Sequence, residues 1–187
     1  MNFYDSDEGV DTYFQMMQNH DGRFLIEQLK KYVVGGSKIL ELGIGTGKDL
    51  DIMSMNYTVT GSDTSKKFLQ RYQQMHIGCD LLLLDAKTMD TDRKFDCIYS
   101  NKVLIHLTRE EAKESLKKQL VVLNEGGVVL HSFWKGVKDE VIEGELFTRY
   151  TFDSVKEIIP QGYEVLELNM YKEIEENDSI YMILKKK

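Results

Sequence analysis

From Lys38 onward, apolar residues fall into short runs separated by segments with helical spacing. Lys38–Leu42, Tyr57–Gly61, Leu81–Leu84, Phe95–Ser100 and Gly127–Phe133 are each short enough to be buried strands. Helices are expected from about Gly47 to Met55, from about Ser65, and from Thr108, where Thr108 and Glu111 match a capping box. The last of these places Ala112, Leu116, Leu120 and Leu123 on one face and should stop at Gly126-Gly127. Short apolar strands alternating with helices predict a parallel sheet covered on both faces. The rhythm then breaks. After a helix near Asp153–Ile159 come two apolar stretches, Tyr163–Tyr171 and Ser179–Leu184, joined by the polar segment Glu173–Asp178. That segment is too short for a crossover helix, so the two strands must be antiparallel. Upstream, residues 1–36 have helical spacing, with a helix over Arg23–Val34 that ends at Gly35-Gly36. Lys135–Tyr150, with four acids, is expected to be a solvated loop.

Composition narrows this to one globular α/β domain of 187 residues with a hydrophobic fraction of 42% and one proline. Cys79 and Cys97 have no metal-type spacing and are expected to be buried thiols, and no metal site is expected. No apolar run is long enough to span a bilayer, and the acidic start lacks signal-peptide character, which suggests a cytoplasmic protein with no membrane partner. A net charge of −7 disfavours nucleic acid and favours a small neutral or cationic substrate, with a protein substrate also possible. Whether the chain is a monomer or a homodimer stays open.

The chemistry concentrates in the strand–turn–helix around Gly43, Gly45 and Gly47. Such a turn lets backbone approach a ligand, and the helix start offers free N–H groups. A phosphate loop would need glycine at 42 and a hydroxyl at 49, where Leu42 and Asp49 stand. A dinucleotide turn would need its third glycine one residue later, which weakens an NAD-dependent oxidoreductase without eliminating it. A mere tight turn is disfavoured because acids recur at successive strand ends: Glu41, Asp63 and Asp85. Ligands of open α/β sheets bind at those ends. Three carboxylates there suit a ligand rich in hydroxyl, amino and positive groups, such as a ribose diol, an adenine amine and a sulfonium.

These segments together resemble the class I S-adenosylmethionine-dependent methyltransferases. Ile39–Gly47 is similar to their motif I, and the likeness continues through Gly61-Ser-Asp63, Leu84-Asp85-Ala86, Phe95–Asn101, Val103–Leu107 and Leu123–Val129. It covers about residues 37–135. The resemblance implies a Rossmann-like, doubly wound α/β fold: a seven-stranded sheet in the order 3-2-1-4-5-7-6, parallel except for a C-terminal antiparallel hairpin. It implies one domain, with residues 1–36 as a helical lid, 37–135 as the cofactor-binding core and 136–187 as substrate-side segment and hairpin.

The cofactor implied is S-adenosylmethionine, leaving S-adenosylhomocysteine. By the resemblance, Gly43, Gly45 and Gly47 line its methionine part, Glu41 lies beneath, and Asp63 accepts from the ribose hydroxyls. Thr64 lies beside the adenine, Asp85 takes the adenine amine, and the Ala86 N–H meets a ring nitrogen. Ser100 and Asn101 face the methionine and the substrate. Arg23 is a candidate partner for the cofactor carboxylate. Tyr13, in the aromatic segment Tyr4–Met16, His106 and Trp134 are candidate substrate contacts. His106 and His131 are the candidate bases, although direct methyl transfer to a thiolate or neutral amine needs none. Lys102 is open to either a surface or a substrate role. There is no Asn/Asp-Pro-Pro-Tyr element, which argues against methylation of DNA bases in that manner. A non-catalytic module that binds the same cofactor is the alternative from another class.

Overall fold

Alternation of buried side chains along five parallel strands builds the centre of the protein. The structure is a computed structural model describing Tyr4 and residues 6–187. Two helices, α1 (Asp7–Met16) and α2 (Arg23–Leu29), precede β1 (Lys38–Leu42), α3 (Lys48–Ser54), β2 (Thr58–Asp63), α4 (Lys66–Met75), β3 (Asp80–Leu83) and β4 (Phe95–Ser100). A 3-10 turn (Leu104–His106) leads to α5 (Arg109–Val122) and β5 (Leu123–Trp134). Then come β6 (Glu140–Ile142), β7 (Glu145–Phe147), α6 (Phe152–Ile158), β8 (Tyr163–Tyr171) and β9 (Ser179–Lys186).

The main sheet has seven strands in the order β3-β2-β1-β4-β5-β9-β8. β1 pairs in parallel with β2 and β4, β2 with β3, and β4 with β5, whereas β9 runs antiparallel between β5 and β8. This is the expected order, with the terminal hairpin renumbered because two short strands intervene. One face packs Leu40, Leu42, Ile98, Val129 and Phe133 against Ala112 and Leu116 of α5 and Val155 and Ile158 of α6. The other packs Ile39, Cys97, Tyr99 and Leu130 against Leu25, Ile26 and Leu29 of α2 and Met53 of α3. Cys97 is buried and Cys79 partly so, both as free thiols. No helix among the described residues is long and apolar enough to cross a membrane.

Three local expectations are corrected. α2 ends at Leu29 rather than Val34: Tyr32 and Val33 still donate back to Leu29, but as tight turns. α5 stops at Val122, before its glycines, and Leu123 is at once the helix cap and the first residue of β5. Gly126 (φ 72°) instead lets β5 loop out between the pairs Phe95–Leu123 and Cys97–Val128. The acid-rich segment is not a plain loop. β6 and β7 form a hairpin through Glu143 (φ 52°) and Gly144 (φ 85°), the paired left-handed residues that a two-residue hairpin turn requires. Arg109 grips Asp139 through both guanidinium nitrogens and Arg149 pairs with Glu140, so the hairpin is pinned over the start of α5.

Leu116 is fully buried where α5 meets the sheet, and its carbonyl accepts from Tyr163 Oη. Leu116→Ala should therefore destabilise the fold by about 2–5 kcal/mol in urea unfolding, the usual cost of such a cavity.

Candidate functional site

The turn after β1 is built so that only glycine fits. Gly43, Gly45 and Gly47 have φ of 69°, 47° and 81°, left-handed values that other residues adopt at a cost. Space makes the same demand. A Cβ on Gly43 would lie 2.5 Å from Val103, on Gly47 2.2 Å from the Tyr72 ring, and on Gly45 3.0 Å from the Tyr13 ring. Asp63, at the end of β2, staples the turn: Gly45 N–H donates to its Oδ2 at 3.1 Å and Ser65 N–H to its Oδ1 at 2.9 Å. Carboxylate oxygens accept more than one bond each, so this staple is compatible with further acceptance from hydroxyl groups.

Beneath the turn lies Glu41, 3% exposed, whose Oε2 has no hydrogen-bond partner among the described residues. Burial, reinforced by Asp49, Asp63 and Asp51, holds its carboxyl well above the usual carboxylate range. A buried orphan acceptor surrounded by negative groups is a place for a cationic donor such as an amino group. The carboxylate, the glycine cradle and the stapling aspartate thus fit an amino-acid-bearing nucleoside.

Asp49, one residue into α3, supplies what the sequence did not suggest beyond excluding phosphate. Its Oδ1 accepts from Gly22 N–H at 2.6 Å and its Oδ2 from Tyr99 Oη at 2.7 Å, with Asn101 Nδ2 at 3.5 Å. Burial raises its pKa and those three donors counter the rise. Lys48 performs a similar task outward, donating to the carbonyls of Met17 (2.6 Å) and His20 (3.3 Å) beyond α1. α1 thereby crosses the glycine turn, with Tyr13 against Gly45 and the Tyr13, Phe14 and Tyr4 rings gathered around Phe68 of α4. Tyr13, expected at the substrate, therefore lies on the cofactor turn itself. The spacing of aromatic residues along α1 was the only sequence signal for this cover.

The remaining candidates divide. Thr64 and Asp85 are exposed at the ends of β2 and β3, and Asp85 accepts from Lys87 N–H at 2.7 Å. Ala86 is buried beside them. Asn101, at the end of β4, accepts from Ser132 Oγ at 2.6 Å and faces Asp49.

Ser100 and His131 point the other way, which corrects their expected roles. Both are fully buried on the α5 face of the sheet. Ser100 Oγ meets His131 Nδ1 at 2.7 Å, His131 Nε2 meets Gln119 Oε1 at 2.8 Å, Gln119 Nε2 donates to Ser115 Oγ at 3.1 Å, and Ser115 Oγ donates to the Ala86 carbonyl at 2.6 Å. The amide oxygen of Gln119 can only accept, so His131 carries a proton on Nε2, and burial keeps the ring neutral. Burial lowers its pKa to about 3, and it reaches no ligand as a base. His106 is held by the hairpin: its Nδ1 is 3.0 Å from the Leu146 carbonyl and its ring packs edge-on to Phe147 and Tyr4. Burial depresses its pKa too, so it stays neutral near pH 7. Arg23, the candidate partner for the cofactor carboxylate, is exposed and pairs with Asp21 at 3.4 Å. Trp134 stands at the end of β5 with the Lys102 ammonium 4.4 Å from its ring.

Comparison with known proteins agrees with this geometry. A model described as a methyltransferase domain matches residues 39–127, from β1 to the start of β5. The matched segment carries the glycine turn, Asp63 and Asp85. An uncharacterized methyltransferase of Bacillus licheniformis is 26% identical over 174 residues, covering 90% of this chain and 76% of the relative. The N-methyltransferase NodS of Bradyrhizobium japonicum, solved with S-adenosyl-L-homocysteine, superposes with a TM-score of 0.75 at 14% identity, covering 100% of this chain and 99% of that one. The 1,6-didemethyltoxoflavin-N1-methyltransferase of Burkholderia thailandensis, solved with its substrate and S-adenosylhomocysteine, gives 0.76 at 14% identity, covering 96% and 85%. At such identities the solved structures speak for the fold.

Glu41 makes the methyltransferase less stable than it could be. Its pKa is raised in the folded state, so the stability linked to it is complete below the ordinary value of 4.5 and is lost as pH rises from there toward the raised value. Glu41→Gln should raise the melting temperature of the ligand-free protein at neutral pH by about 2–4 °C, equivalent to roughly 1 kcal/mol, and flatten its dependence on pH. Scanning calorimetry across pH measures both effects.

Proposed function

We propose that this methyltransferase binds S-adenosylmethionine across the glycine turn and methylates a small-molecule acceptor at the carboxyl ends of β4 and β5. The observation that carries the reading is the buried, unpartnered Glu41 carboxylate beneath three glycines that have no room for side chains. In this assignment Gly43, Gly45 and Gly47 line the methionine part and Glu41 takes the amino group, directly or through water. Asp63 accepts from the ribose hydroxyls, Thr64 flanks the adenine, and Asp85 and the Ala86 N–H meet its polar edge. Asn101 lies between the Asp49 carboxylate and Ser132 and borders the acceptor. When bound, the cofactor supplies a methyl group activated by a sulfonium charge. The protein's part is to hold the acceptor in line and to keep water out. α1 is suited to the second task because its aromatic ring already covers Gly45.

A small acceptor is favoured by two considerations. The net charge of −7 discourages a polyanion. The structurally similar proteins include an enzyme crystallised with 1,6-didemethyltoxoflavin.

Thermal shift should show stabilisation by S-adenosylhomocysteine and none by NAD, and incubation with methyl-labelled cofactor and a metabolite panel should transfer label. Gly45→Ala puts a methyl group where Tyr13 lies and demands φ of 47°, and Asp63→Asn removes the charge that would meet the ribose. Each should weaken S-adenosylhomocysteine binding at least about tenfold by calorimetry, equivalent to about 1.4 kcal/mol. Unchanged affinity in both variants would sink the assignment.

A further inference from the structure

Lys102 is a cation built into the carboxyl edge of the sheet in an aromatic setting. It follows Asn101 directly and has a left-handed backbone, φ 59°, which a lysine adopts only against steric resistance. Its N–H is held by Ser132 Oγ at 3.0 Å, the same hydroxyl that donates to Asn101, so the two residues are positioned together. Only 13% of its side chain is exposed. The ammonium lies 4.4 Å from the Trp134 ring centre and 4.8 Å from that of Tyr171. It donates to Tyr171 Oη at 2.6 Å and pairs with Glu173 Oε2 at 3.3 Å. Tyr171 in turn donates to Glu173 at 2.6 Å and stacks on Phe24 of α2.

We propose that Lys102 is a catalytic residue of this site, the group that takes the proton from a small amine acceptor as that amine is methylated. This rests on the methyl-transfer reading above. Two opposed influences act on its nitrogen. Enclosure by aromatic rings disfavours the ammonium, while the rings' faces and Glu173 favour it. The balance sets its pKa at about 8, with burial the larger influence. The groups facing it are Glu173 and Asp178 from the β8–β9 turn and Tyr171 of β8, whose own pKa burial drives far up. Arg149 shares the same tryptophan, its guanidinium 5.9 Å from the Trp134 ring. Lys102 can therefore be neutral often enough to accept a proton and can keep it once accepted, as a base working near neutral pH must. The acceptor arrives as an ammonium and gives one proton to the neutral Nζ. Its freed electron pair forms the new bond to the methyl carbon, and the pair of the broken carbon–sulfur bond stays on sulfur as the neutral thioether. An amine suits an acceptor side that carries the acid Glu173, with Asp49 facing Asn101, and His131 is too deeply buried to share the role.

Trp134 is the only tryptophan, so its fluorescence reports on Lys102 without cofactor or acceptor. Titrating the full chain should show an inflection near pH 8 that vanishes in Lys102→Met and moves to lower pH in Glu173→Gln, where the stabilising carboxylate is gone. Lys102→Arg keeps charge, cage and ion pair but does not release its proton, which separates proton transfer from mere positioning. With labelled cofactor and a panel of small amines, kcat of Lys102→Arg should fall at least about 100-fold while S-adenosylhomocysteine affinity is kept. Absence of the inflection, turnover confined to acceptors other than amines, or an arginine variant as fast as wild type overturns the proposal. Loss of S-adenosylhomocysteine binding in the wild type would instead overturn the methyl-transfer reading.

Discussion

The carboxylate of Asp49 is the point on which the functional end of this protein turns. It accepts from the start of α2 through Gly22, from β4 through Tyr99, and faces Asn101, while belonging to the helix that the glycine turn launches. Gly22 has no side chain because a Cβ there would fall 2.1 Å from Tyr99 Oη. Three segments distant in sequence are thus brought to one buried charge. Such a charge is tolerated only while its donors stay in place, since removing one leaves an uncompensated buried anion. The start of α2 is seated here.

Negative charge is concentrated around that seat. Glu41, Asp49 and Asp63 are all buried, and each raises the proton affinity of Glu41 or is itself part of that field. Folding alone would not favour such a cluster. It is intelligible as preorganisation for a ligand whose donors and positive charge complete it. The opposite sheet face carries a buried chain of hydrogen bonds from Ser100 through His131, Gln119 and Ser115 to the Ala86 carbonyl.

Much of this was legible in the sequence because it rests on local rules. Strand length and the short Glu173–Asp178 connection were enough for the parallel strands and the antiparallel end, while the sheet order came from the family resemblance. The glycine turn and the acids at 41, 63 and 85 were legible because covalent neighbours determine a tight turn. What escaped depends on partners remote in sequence. Strand alternation separated His131 from Ser132 correctly, but nothing in it revealed that Gln119 and Ser100 would occupy both ring nitrogens. Arg23 had the right charge, but Asp21 lies closer to hand. Lys102 could not be weighed without knowing that Trp134 and Tyr171, from β5 and β8 on either side of β9, close around it. The β6–β7 hairpin did carry a signal, Glu143-Gly144 between short apolar runs, obscured by its acidity.

α5 passes into β5 at Leu123 with no connecting loop, and β5 then bulges at Gly126 before it rejoins the sheet at Val128. Ser115 and Gln119 of the helix hold the Ala86 carbonyl and His131, while Trp134 stands at the far end of the strand. Helix and strand are therefore tied twice, by the chain at Leu123 and again by the Gln119–His131 hydrogen bond, and the bulge lies within the ring that these two ties close.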